Sequence, residues 1–142
     1  MKKEFSIKWI SSRQPRKQRK YRYNAPMHVR QRLVSAHLEK ALRKEYNKRT
    51  LTVRKGDEVK IMRGQFRGTR GKISKVDMKR LKVYVENAKM KKVSGQEVEA
   101  PIDPSNVMIT KLNFDDKKRR KFLARKPKKE EKKGEAKETK KK

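Results

Sequence analysis

Cysteine is absent from this 142-residue chain, which excludes disulfide frameworks and thiolate zinc sites and agrees with a reducing compartment. Apolar residues are scarce as well. Only 32% of residues are hydrophobic, below the usual proportion, so much of the chain lies outside any core. No apolar run approaches the roughly 18 residues that a helix needs to cross a bilayer, and the N-terminus carries no hydrophobic stretch of the secretory kind. Membrane insertion is therefore not expected, and the cytoplasm is the expected location. Acidic residues are also few: Lys+Arg 46 against Asp+Glu 16 leaves a formal net charge of +30. That excess repels itself in a compact body and points to a polyanionic partner, with nucleic acid the leading candidate.

The groups that enzymes need are missing too. His28 and His37 fall in a helical region with no cysteine to pair with either, so each reads as a surface or RNA-facing imidazole rather than a catalyst or metal ligand. Asp57, Glu58, Asp77 and Glu86 are outnumbered by cations and read as surface or turn residues that pair with them. The run Gly68-Thr69-Arg70-Gly71-Lys72 superficially matches a phosphate loop. However, Ile73 stands where a Ser or Thr would hold magnesium, and Phe66 stands where the first glycine belongs. No enzymatic activity, cofactor or metal is expected.

What is present is organised around residues 53–77. Val59 and Ile61 alternate with Lys60 and Met62 at the period of a half-buried strand. Gly64, Gly68 and Gly71 then punctuate a loop that carries Arg63, Arg67, Arg70 and Lys72. This reads as a hairpin with a basic tip, in which the cations serve phosphates and Phe66 either stacks on a base or packs as an apolar lid. Further alternation at Leu51 and Val53, Leu81 with Val83 and Val85, and Val107 with Ile109 predicts about five short strands. The three-residue spacing of Ile73 and Val76 predicts a bulge after Gly71. So few short strands bury most when curled into a compact barrel without exposed edges. Met78-Lys79-Arg80 reads as a tight turn, residues 86–96 as a long loop, and Pro101 and Pro104 as a rigid bend before the last strand.

The flanks differ from this centre. Phe5, Ile7, Trp9 and Ile10 alternate in part, and the segment either docks as a short strand or stays disordered. Arg13, Arg16, Lys17, Arg19, Lys20 and Arg22 follow with only Tyr21 and Tyr23 as aromatic company, a mix suited to phosphate contacts and base stacking. The segment is expected to order only on its partner. Asn24-Ala25-Pro26 reads as a helix start. The apolar stripe of Val29 and Leu33 changes phase to Val34, Leu38, Ala41 and Leu42, so two short helices are expected, broken near Ser35 to His37, with Arg30 and Arg32 pointing outward. Phe122 and Leu123 can support a helical turn, and beyond Pro127 the chain is low-complexity and expected to be disordered.

The stretch Lys55-Gly-Asp-Glu-Val-Lys-Ile-Met-Arg-Gly-Gln-Phe-Arg-Gly-Thr-Arg-Gly-Lys-Ile resembles a KOW motif, which ribosomal proteins and transcription elongation factors share. Three flanking segments narrow the resemblance: Gln14-Pro-Arg-Lys-Gln-Arg-Lys-Tyr, Tyr23-Asn-Ala-Pro-Met-His-Val-Arg-Gln-Arg and Pro101-Ile-Asp-Pro-Ser-Asn-Val-Met-Ile-Thr-Lys-Leu. Together they are similar to the archaeal and eukaryotic family of large-subunit ribosomal protein L-twenty-four, L-twenty-six in eukaryotes. That resemblance implies a mostly β fold with short N-terminal helices, built on a small SH3-like barrel with basic extensions. It implies binding to large-subunit ribosomal RNA near its 5′ region, a role in early subunit assembly, and a place near the peptide exit tunnel beside neighbouring ribosomal proteins. No homo-oligomer is expected. By position, the family's basic arm maps onto Arg13, Arg16, Lys17, Arg19, Lys20, Tyr21 and Arg22, and its loop onto Arg63, Gly64, Phe66, Arg67, Gly68, Arg70 and Lys72; Tyr23, His28, Arg30 and Arg32 join the expected RNA contacts on their own aromatic or cationic character. Two positions depart from the family: His37 stands where relatives often have a proline, and Asp103 where a histidine is common. The expected layout is an arm over residues 1–24, helices over 25–48, the barrel over 49–114 and a partly disordered basic extension over 115–142. Two rivals remain. An elongation factor would need a preceding α/β domain, for which residues 1–50 are too short and too basic, and a DNA-condensing protein needs the charge alone.

Overall fold

A computed structural model describes residues 5–6 and 12–124. The expectations for Ile7, Trp9, Ile10 and the chain beyond Pro127 lie outside the described residues. Eight strands and four helices are built from the rest: α1 (Pro15–Asn24), α2 (Met27–Leu33), β1 (Ser35–Leu38), α3 (Lys40–Tyr46), β2 (Thr50–Thr52), β3 (Glu58–Ile61), β4 (Arg70–Asp77), β5 (Lys82–Val85), β6 (Lys89–Lys91), β7 (Glu97–Glu99), β8 (Val107–Lys111) and α4 (Lys117–Ala124).

Six strands form one sheet in the order β2-β1-β8-β3-β4-β5, and β6 pairs with β7 in a separate hairpin. Strands β1 and β8 run parallel, and the other neighbours are antiparallel. Among the described residues β2 and β5 do not pair, so the sheet is not closed into the expected barrel. Its edges are managed otherwise: β2 is only three residues long, and Val83 of β5 exchanges two 2.9 Å backbone hydrogen bonds with Ile102. Short edges and covered edges both discourage pairing with another chain.

Alternation explains the core. Val59 and Ile61, Val83 and Val85, and Val107 and Ile109 all point to one side, where they meet Leu38, Leu51 and Ile73. The register shift between Ile73 and Lys75, where β4 meets β5, realises the bulge expected from the spacing of Ile73 and Val76. Pro104 is buried in a short 3-10 turn over Pro104–Asn106 that feeds β8, as the rigid bend requires.

Four elements differ from the sequence reading. The basic arm is already helical as α1, with Pro15 in its first turn and no residue buried; Lys, Arg and Gln are good helix formers, and Pro is tolerated at that position. At the expected break, Ser35 to His37, the chain enters β1 instead of remaining a loop between helices. Ala36 and Leu38 alternate into the core there, a period-2 signal too short to separate from the helical phase change. The loop over residues 86–96 contains β6, whose residues are all exposed and so leave no apolar pattern. Asp57 is wholly buried rather than a surface residue. Its Oδ1 and Oδ2 accept hydrogen bonds from Arg119 Nη1 at 2.5 Å and Nη2 at 2.8 Å, which docks α4 against the start of β3.

Candidate nucleic-acid interface

The loop between β3 and β4 is built by two tight turns. Gly64 and Gly68 have φ of +91° and +92°, a region where a side chain is disfavoured. The carbonyl of Gly64 accepts the Arg67 N–H at 3.1 Å, and the Gly68 N–H donates to Ile61 at 2.8 Å. A Cβ at either glycine would meet nothing within 4 Å. Backbone conformation, not crowding, therefore requires glycine at both, and the tip is open to an approaching ligand. Arg63, Arg67, Arg70 and Lys72 are all exposed. Phe66 is half-buried and packs against the core, so it acts as the apolar lid and anchors the tip.

Gly71 answers to a different constraint. A Cβ there would lie 2.9 Å from Val85 Cγ1 and 3.3 Å from Asn87 Nδ2. Asn87 in turn donates to the Arg70 carbonyl at 2.7 Å, which holds the first residue of β4 in place. Sequence reading passed over Asn87, since a lone Asn after a strand carries no signal beyond a turn. Beside this strand lies a cleft lined by Glu39, Glu58, Arg70, Lys72, Glu86 and Lys111. Glu58 and Lys111 face each other there at 3.3 Å, so carboxylates temper the cations on this flank.

The arm forms a second array. On α1, Arg16, Arg19, Lys20 and Tyr23 recur at helical spacing and share one face, and Tyr23 is 79% exposed. Tyr21 lies round the helix, with its ring centroid 4.8 Å from that of Phe5. Arg13, Lys17 and Arg22 are exposed. His28 and Arg32 on α2 are exposed as well, but Arg30 is engaged within the protein. Its Nε donates to the Ala25 carbonyl at 2.8 Å and its Nη2 donates to the Tyr23 carbonyl. Arg30 thus joins α1 to α2 across the Ala25-Pro26 corner.

Among the described residues, no group of three His, Cys, Asp or Glu side chains is placed to hold a metal ion. Asp77 has its pKa lowered, chiefly by the Arg80 backbone N–H that its carboxylate accepts and also by that of Lys79. That arrangement caps the β4–β5 turn and makes no reactive group. Among the described residues, no helix is long and apolar enough to cross a membrane.

A small, mostly β protein that exposes clustered cations on a glycine loop and a basic helix presents the kind of surface that polyanions recognise. A family model described as ribosomal proteins L26 (eukaryotic) and L-24P (archaeal) matches residues 12–126, and the chain belongs to that family. The large ribosomal subunit protein uL24 of Methanothrix thermoacetophila is 53% identical to it over 114 residues, which cover 80% of this chain and 98% of that protein. The family is one of ribosomal proteins, not of enzymes.

Proposed function

We propose that this protein is a structural constituent of the large ribosomal subunit that binds ribosomal RNA near its 5′ region, aids early assembly of the subunit and sits near the peptide exit tunnel, beside other ribosomal proteins. Its place of work is the cytoplasmic ribosome. The observation that carries the reading is the pairing of two exposed cation arrays, the glycine loop and α1, with membership of a ribosomal protein family. The mechanism is electrostatic. Arg63, Arg67, Arg70 and Lys72 meet phosphates at the loop, while Arg16, Arg19 and Lys20 meet them along one face of α1, and each contact releases counterions. Tyr23, on the same face of α1, offers a ring for an unstacked base. Gly64 and Gly68 let the RNA backbone come close to the loop, and Arg30 ties α1, the second array, to α2.

Chemical footprinting of transcribed large-subunit ribosomal RNA with the purified protein tests this. Protection of one defined segment in the 5′ region is expected; weak, even protection along the whole RNA would overturn it. Sedimentation of the protein with large subunits after a high-salt wash is the companion expectation.

A further inference from the structure

Five of the eight residues of α4 are cations: Lys117, Lys118, Arg119, Arg120 and Lys121. Arg119 and Leu123 are its only buried residues. At roughly 100° of turn per residue, Lys117 and Lys121 fall on the side of the helix opposite that pair, flanked by Lys118 and Arg120. Like charges three and four residues apart oppose helix formation, and a helix this short does not sustain itself in water. This one is held from outside. Arg119 reaches into the buried Asp57 carboxylate, and Asp116 Oδ1 accepts the Lys118 N–H at 2.7 Å at the start of the helix. Near its end, Lys48 Nζ donates to the Phe122 carbonyl at 2.6 Å and stands 3.7 Å from the centroid of that ring.

We propose that α4 is a third phosphate-binding surface for the RNA, in which Lys117, Lys118 and Lys121 contact the backbone and the Arg119–Asp57 pair holds them in position. Arg120 stands apart, because its Nε donates to the Phe114 carbonyl at 2.6 Å. The surface is separate from the glycine loop. Strand β3 is four residues long, roughly 13 Å, with Asp57 preceding one end and the loop following the other. Fixing mutually repelling cations on a docked helix costs stability that the fold alone gains nothing from. A polyanion relieves the repulsion, and cations already held in place lose less freedom on binding than those of a flexible tail.

This inference rests on the ribosomal RNA reading above, and one titration separates the two. Affinity of the full-length protein for transcribed large-subunit ribosomal RNA is measured against KCl concentration for three proteins: the parent, the loop variant Arg63→Ala/Arg67→Ala/Arg70→Ala and the helix variant Lys117→Ala/Lys118→Ala/Lys121→Ala. The helix variant is expected to bind more weakly and to lose about two to three units of the slope of log K against log salt, at about 0.7–0.9 unit per contact. The losses from loop and helix are expected to add. If the helix variant matches the parent while the loop variant loses slope, α4 is a solvated face and the inference falls, with the RNA reading intact. If the parent itself shows neither a preference for this RNA nor a salt slope, both fall. Arg119→Met supplies an independent check of the positioning role. It keeps every exposed lysine of α4, and it should weaken binding while the protein still unfolds cooperatively; parental affinity from a folded Arg119→Met protein would overturn that role.

Discussion

Arg119 and Asp57, 62 positions apart in sequence, form a two-bonded ion pair with side chains 3% and 0% exposed. The carboxylate is fully engaged. Besides the guanidinium, its Oδ2 accepts the Arg54 N–H and its Oδ1 accepts the Asn113 N–H, each at 2.9 Å. One side chain thereby joins the turn before β3, the segment after β8 and the last described helix.

Removing either partner leaves the other charge buried. Asp57→Ala is expected to cost about 3–5 kcal/mol, since it also orphans two backbone donors. Arg119→Met is expected to cost less, because those two donors still serve the Asp57 carboxylate. Urea denaturation of both single variants and of the double variant checks this. The double variant should cost clearly less than the sum of the singles, because the two residues share their interaction.

Gly71 and Gly68 should respond differently to the same substitution. Gly71→Ala places a Cβ 2.9 Å from Val85 Cγ1, and overpacking of that kind costs about 1–3 kcal/mol. Gly68→Ala meets no neighbour and bears only the strain of φ +92°, about 1–2 kcal/mol. Gly68→Asn should recover part of that loss, since Asn tolerates positive φ better, whereas Gly71→Asn should be worse than Gly71→Ala. Thermal denaturation of the four variants distinguishes space from backbone conformation.

Asp77 provides a pH signature. Its carboxylate accepts the Lys79 and Arg80 backbone N–H groups at 2.9 and 3.0 Å, and the Arg80 bond is the main reason its pKa lies below the ordinary 3.8. The folded value is depressed, so the stabilisation is complete above the unfolded value of 3.8 and is lost as pH falls through the lower folded one. A side-chain carboxyl titration by NMR is expected to place the Asp77 midpoint below 3.8; a midpoint at or above it would show that the turn does not hold the ionised form.

Arg30 is expected to act through α1 rather than through RNA directly. Arg30→Lys keeps the charge but loses the planar fork that serves the Tyr23 and Ala25 carbonyls together. Amide exchange in α1 should quicken by the equivalent of about 1 kcal/mol, while the salt slope of RNA binding stays at the parental value. In Arg30→Met, which removes the charge, a slope lower by one contact would place Arg30 on phosphate instead.

The two exposed cation arrays were legible in the sequence to different degrees. Glycine spacing with interleaved arginines marks the loop, because positive φ is a local demand that residues 64 and 68 meet by themselves. Basic residues mark the arm but not its helical form, since a helix that buries nothing leaves no apolar stripe to read. Phe66 as a core anchor, Asn87 as a clamp on Arg70, and β1 within the expected helical region all depend on neighbours far along the chain.

By itself the sequence determined the charge, the strand alternation and the segments that mark the family, because each is a property of composition or of near neighbours. Only the tertiary structure decided that the sheet is open, that Arg30 is spent on the α1–α2 corner, and that Asp57 is a buried anchor rather than one more turn carboxylate. The reason is burial. Which of 46 cations meets a given carboxylate away from water depends on where the sheet brings distant segments together, and nothing local to Asp57 or to Arg119 records it.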